Sequence, residues 1–210
     1  MSIKAILWDF GGVILTSPFE AFAKYEAERG LPDGFIRLVN STNPDANAWA
    51  RLERSELTGD DFDAAFAAES AALGHEVSGR DILTILFGVV RPEMVAALDA
   101  VKGHGFATAC LTNNIVGEYD RPDIVDVMGR FDVVIESSKV AVRKPEPRFY
   151  EIACELLAVE PSECVFLDDL GINLKPARAM GMTTIKVSDP AVAIAELEAV
   201  LGLTLVGDPA

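Results

Sequence analysis

Cys164-Val165-Phe166-Leu167-Asp168-Asp169-Leu170-Gly171-Ile172-Asn173 runs four apolar residues straight into two adjacent carboxylates. A short apolar run bounded by turn residues reads as a buried strand. A second run, Ile3-Lys4-Ala5-Ile6-Leu7-Trp8, also ends in a carboxylate, Asp9, and is followed by Gly11-Gly12. Parallel strands of an open α/β sheet deliver their carboxyl ends to the edge where ligands bind. Three acidic side chains gathered there would repel one another in low dielectric. Such a cluster calls for a cation, and hard oxygen ligands of this kind suit Mg²⁺ together with waters and a substrate phosphate.

The rest of the chain supports that placement. After Arg91-Pro92, the positions of Met94, Val95, Leu98 and Val101 predict a helix over 93–102. Apolar runs predict strands over 106–111, 131–135, 164–167 and 183–187, with helices over 147–157, 174–180 and 192–201. Strand–helix alternation of this kind means a parallel sheet covered on both faces. Between the first strand and residue 91 the pattern is helix and loop. Helices are predicted over 19–28 and 46–57, and a third runs to about residue 73 behind an N-cap at Thr58. The fold class expected is therefore α/β: a three-layer, Rossmann-like parallel-sheet core of residues 1–16 and 92–210, with a helical cap inserted at 17–91.

Composition narrows the function classes. Half of the 210 residues are apolar and 24% are charged, which suits a folded domain with a sizeable core. A net charge of −15 disfavours nucleic acid and anionic membrane surfaces, because phosphate backbones need clustered Lys and Arg. No apolar run reaches the ~18 residues that suggest a membrane span. The N-terminus enters a strand directly, without a signal-peptide pattern. Cys110, Cys154 and Cys164 form no disulfide framework, and Cys110 and Cys164, in strand-like contexts, read as small buried hydrophobes. The expectation is a cytoplasmic protein, monomer or homodimer.

Four strand-end segments follow one another in order: Asp9-Phe10-Gly11-Gly12-Val13, Leu111-Thr112-Asn113-Asn114, Arg143-Lys144-Pro145-Glu146-Pro147 and the Asp168-Asp169 segment. This set resembles the four signature motifs of the haloacid dehalogenase-like (HAD) hydrolase superfamily. Lys144-Pro145-Glu146-Pro147, Asn173-Leu174-Lys175-Pro176-Ala177-Arg178 and Leu52-Glu53-Arg54-Ser55-Glu56-Leu57-Thr58 are similar to the group that contains the N-terminal phosphatase domain of soluble epoxide hydrolase. The resemblance implies Asp9 as nucleophile, giving an aspartyl-phosphate. It implies a Mg²⁺ site made by Asp9, the Gly11 carbonyl, Asp168 and Asp169, with Asp169, four residues before Asn173, as the direct ligand. Thr112 and Asn113 would donate hydrogen bonds to the phosphoryl oxygens, and Lys144 would neutralise the nucleophile and the transferring group. Taken singly, each motif has an ordinary reading: a turn Asp, a helix N-cap, turn chemistry, a surface Lys.

One position departs from the family pattern. Active phosphatases of the superfamily usually carry a second Asp two residues after the nucleophile, which protonates the leaving oxygen; here that residue is Gly11. A positioned acid–base group is typically worth about 10²–10⁴-fold in rate. Glu53, Glu56 and Asp60 of the cap are candidate substitutes. The resemblance thus leaves three activities open: a Mg²⁺-dependent phosphatase acting on a small phosphorylated metabolite, a haloacid dehalogenase, which also lacks that Asp, and a weakly catalytic member that binds a phosphorylated ligand or partner. Arg143, His75 and His104 read as solvent-facing, Trp8 as core, and Trp49 as helix packing.

Overall fold

The computed structural model describes residues 2–86, 88–115 and 121–205. Strands β1 (Ala5–Trp8), β2 (Ala107–Thr112), β3 (Val133–Glu136), β4 (Cys164–Asp168) and β5 (Thr183–Lys186) form one parallel sheet in the order β3-β2-β1-β4-β5. The strands that end in Asp9 and Asp168 are central neighbours. Trp8 lies opposite Leu167, and the Asp9 N–H donates to the Leu167 carbonyl at 2.8 Å. Register alone therefore sets the two carboxylates side by side.

Both faces of the sheet are covered because strand residues alternate and both sets are apolar. Ile6, Trp8, Cys110, Val165 and Leu167 face one layer, which includes helices α6 (Pro92–Gly103) and α11 (Pro190–Leu201). Ala5, Leu7, Ala109, Leu111 and Phe166 face the other, which includes α9 (Pro147–Leu157) and α10 (Gly171–Ala179). Each large apolar side chain so buried contributes about 1.5–3 kcal/mol. Two short helices, α7 (Pro122–Met128) and α8 (Ser137–Val140), flank β3.

Helices α1 (Phe19–Arg29), α2 (Phe35–Ser41), α3 (Ala48–Glu53), α4 (Gly59–Ala72) and α5 (Gly79–Thr84) lie between β1 and α6. They enclose a separate apolar cluster built on Phe22, Phe35, Ile36, Leu52, Phe62 and Phe66. Thr58 caps α4 in a reciprocal box with Asp61, as its spacing suggests. The helix expected over 46–57 is shorter. Asn47 caps it at one end, and Ser55, at φ 59°, breaks it at the other. α10 begins three residues earlier than expected, so Asn173 sits inside it. The segments on either side of the inserted helices run antiparallel, with Leu15 bridged to Val90 and Thr16 N–H donating to Val89 O. Among the described residues, no helix is long and apolar enough to cross a membrane.

Candidate active site

Asp9 leaves β1 and enters a tight turn, Phe10–Ile14, whose Gly12 has φ 80°. That turn passes close to the end of β4. A Cβ on Gly12 would lie 2.3 Å from Asp169 Oδ2, so only glycine leaves room for the second carboxylate. We expect Gly12→Ala to displace Asp169 and to cost about 1–2 kcal/mol in backbone strain alone. Urea unfolding measures the cost; an unchanged midpoint would contradict this reading of the turn.

Asp9, Asp168 and Asp169 each offer an oxygen within 4.8 Å of the others. Lys144, 1% exposed, lies between two of them, with Nζ 2.6 Å from Asp9 Oδ1 and 2.8 Å from Asp168 Oδ2. The three carboxylates do not have equal freedom. Asp168 is wholly buried: Oδ1 accepts from Leu170 N–H and Asn173 Nδ2, and Oδ2 accepts from Lys144 Nζ and Asn173 Nδ2. Asn173 is itself held in register, its carbonyl accepting the Tyr150 hydroxyl at 2.7 Å. Asp169 is half-buried and lines the cleft. Asp168 thus holds the lysine and the start of α10, while Asp169 faces the space a ligand would enter.

The charge in this cluster is out of balance. Burial, then Asp168, push the Asp9 carboxyl well above the usual carboxylate range, and Lys144 offsets only part of this. Burial and Asp168 likewise raise Asp169 to about 6. Burial alone would lower the Lys144 ammonium, but Asp168 and Asp9 outweigh it and hold it above its ordinary value. One ammonium beside three ionised carboxylates leaves a charge of about −2, which a divalent cation would balance.

The third and second strand-end segments are joined through Asn113. Its Nδ2 donates to Lys144 O at 3.0 Å, and its Oδ1 accepts from Lys144 N–H at 2.8 Å. The side chain expected to reach toward a phosphoryl group is thus engaged on the lysine's backbone. Spacing within the motif gives no sign of that clasp. Thr112 is buried at the end of β2 and does not line the cavity.

Above this cluster is a cavity of ≈ 420 Å³, lined by Asp9, Gly11, Asn113, Lys144 and Asp169 from the sheet edge and by residues of α1, α2 and α3 from the inserted helices. Three expectations are corrected here. Arg143 is not solvent-facing: its Nε donates to Glu53 Oε2 at 2.5 Å and both side chains are largely buried. Trp49 does more than pack on Phe62, since it lines the cavity and donates from Nε1 to Glu53 Oε1 at 2.9 Å. Of the three carboxylates considered as a replacement acid, only Glu53 lines the cavity, and both its oxygens are engaged. Glu56 pairs with Arg54 and Asp60 with Arg80 on the surface. His75 and His104 are exposed, as expected, and Trp8 is buried.

The family model for haloacid dehalogenase-like hydrolases matches residues 3–181. The chain belongs to that family. Mouse (Mus musculus) acyl-CoA dehydrogenase family member 10 is 35% identical over 209 residues, 97% of this chain and 20% of the relative. Mouse bifunctional epoxide hydrolase 2 is 33% identical over 219 residues, 96% of this chain and 39% of the relative. The chain therefore spans only a fifth to two fifths of these two relatives. Among solved HAD structures, a family enzyme from Bacteroides thetaiotaomicron, in complex with magnesium and inorganic phosphate, superposes with a TM-score of 0.60 at 21% identity, covering 88% of this chain and 94% of that one. The parallel sheet flanked by helices thus matches the fold of these HAD structures.

Proposed function

We propose that this HAD hydrolase is a Mg²⁺-dependent phosphomonoesterase, residues 1–16 and 92–210 forming the catalytic core and 17–91 a helical cap. The observation that carries the reading is the gathering of Asp9, Asp168 and Asp169 within 4.8 Å around a single lysine. A dehalogenase has no need of a third carboxylate there. The relative whose structure holds magnesium and phosphate has the same fold.

The donor set fits Mg²⁺, with Asp9, Asp169 and the Gly11 carbonyl as its ligands and Asp168 holding them in place through Lys144 and Asn173. When bound, the ion would neutralise charge on the phosphoryl oxygens. Asp9 attacks phosphorus as the bond to the leaving oxygen breaks; the alkoxide or aryloxide released takes its proton from water, and a second water hydrolyses the aspartyl-phosphate. Lys144 balances the growing charge, and Asn113 binds an equatorial oxygen through the Nδ2 hydrogen not donated to Lys144 O. Leu15, Phe19, Phe22, Trp49, Leu86 and Ile172 line the cavity beyond, which suits an alcohol with an apolar body.

Turnover of p-nitrophenyl phosphate with and without Mg²⁺, beside 2-chloropropionate, tests the activity. Phosphate release only with Mg²⁺ is the expected result; chloride release without metal would overturn it. Asp169→Ala should abolish Mg²⁺ binding in calorimetry, and retained binding would place the metal elsewhere. A pH test follows from linkage. A carboxyl whose folded pKa is raised favours folding while protonated, so metal-free protein should lose stability as pH rises from about 4 through about 6. Mg²⁺ should therefore raise Tm more at pH 7.5 than at pH 5; an equal rise at both would count against the site.

A further inference from the structure

We propose that Glu53 is a positioning residue for the reaction, acting through Arg143 to seat Lys144 between Asp9 and Asp168; the inference rests on the phosphatase reading above. Glu53 ends α3, and the break at Ser55 turns this end of the helix toward the loop that carries Lys144. Its carboxylate is fixed from two sides, Oε1 by Trp49 Nε1 and Oε2 by Arg143 Nε. Arg143 also donates from Nη1 to Pro44 O at 3.0 Å. The next residues reinforce the join: Arg54 lies 3.7 Å from Glu146, and Ser55 Oγ donates to Ser138 O at 2.9 Å.

The loop at 143–146 thus has two anchors. Asn113 holds the Lys144 backbone from the sheet side, and Glu53 holds the adjacent Arg143 from the helical side. Lys144 lies one residue along the chain, with its ammonium fully buried between two carboxylates. The Glu53–Arg143 side chains are 8% and 14% exposed and form a wall of the reaction cavity. Removing one partner leaves a buried charge unpaired, which the loop relieves only by shifting. A shift at Arg143 is passed to Lys144 because no free residue separates them. It is also through this pair that the inserted helices act on the chemistry, since Glu53, alone among their acidic candidates, reaches the cavity.

Kinetics of four variants on p-nitrophenyl phosphate with saturating Mg²⁺ test the proposal. Misplacement of a catalytic group by about 1 Å costs up to ~100-fold, so Glu53→Gln should lower kcat about 10–100-fold. KM should change by less than about threefold, since the interaction lost is one used in the transition state. Arg143→Lys, which keeps the charge but not the Nε–H donor, should fall between Glu53→Gln and the wild type. The double variant Glu53→Gln/Arg143→Lys should be no slower than the slower single variant, because the two act as one unit. Ser55→Ala breaks a contact of the same interface away from Lys144 and should leave kcat within about twofold. A Glu53→Gln enzyme with wild-type kcat overturns the proposal. So does a Ser55→Ala enzyme as slow as Glu53→Gln, which would make the pair ordinary interface packing. If the wild type cleaves no phosphate ester, the phosphatase reading fails on its own. The positioning role is then judged by the ¹⁵N NMR shift of the Lys144 ammonium, where an unchanged shift in Glu53→Gln overturns it.

Discussion

Asp9→Asn should reduce turnover of p-nitrophenyl phosphate by at least about 10⁴-fold, the scale on which loss of a nucleophile is felt. The same change should leave the fold intact. An amide has nearly the shape of the carboxylate, and Lys144 keeps its 2.8 Å contact with Asp168. Burial and Asp168 make an ionised Asp9 costly in the metal-free protein. Removing that charge should hold or raise the metal-free Tm at pH 7.5, while Mg²⁺ binding weakens. Loss of activity with a collapsed Tm would show only that Asp9 is structural. Full activity in the variant would move the nucleophile elsewhere.

Gly11→Asp should raise the rate on esters with poor leaving groups by up to about 10²–10⁴-fold, the range for a positioned acid. The turn accepts the side chain: Gly11 has φ −70° and ψ 128°, ordinary for any L-residue, and a Cβ there meets nothing within 4 Å. The positive φ and the close approach belong to its neighbour Gly12. None of the three candidate carboxylates is placed to substitute. Glu53 is held by Arg143 and Trp49, and Glu56 and Asp60 pair on the surface. The native enzyme should accordingly cleave aryl phosphates far faster than alkyl ones, and the variant should flatten that dependence. An already flat dependence in the native enzyme would mean that some other group donates the proton.

The parallel sheet and the edge bearing Asp9 and Asp168 were legible because they depend on local pattern. Apolar runs of strand length alternate with helical periods, and parallel crossovers leave few topologies. Thr58 and Asp61 were legible as a cap because both partners lie within one turn. α2 and α5 were not, since their six or seven residues are too short for a period to show. The four motifs named residues that the structure brings to one candidate site, but not the division of labour within it. That Asp168 is spent on Lys144 and Asn173 while Asp169 faces the cleft follows from which side chain the turn after β4 sends inward. The Asn113 clasp and the Glu53–Arg143 pair join residues 31 and 90 positions apart. Hydrophobic periodicity tells which face of an element is buried. It carries no information on which polar side chains meet once two separately packed clusters are brought together, so only the tertiary structure could decide those partners.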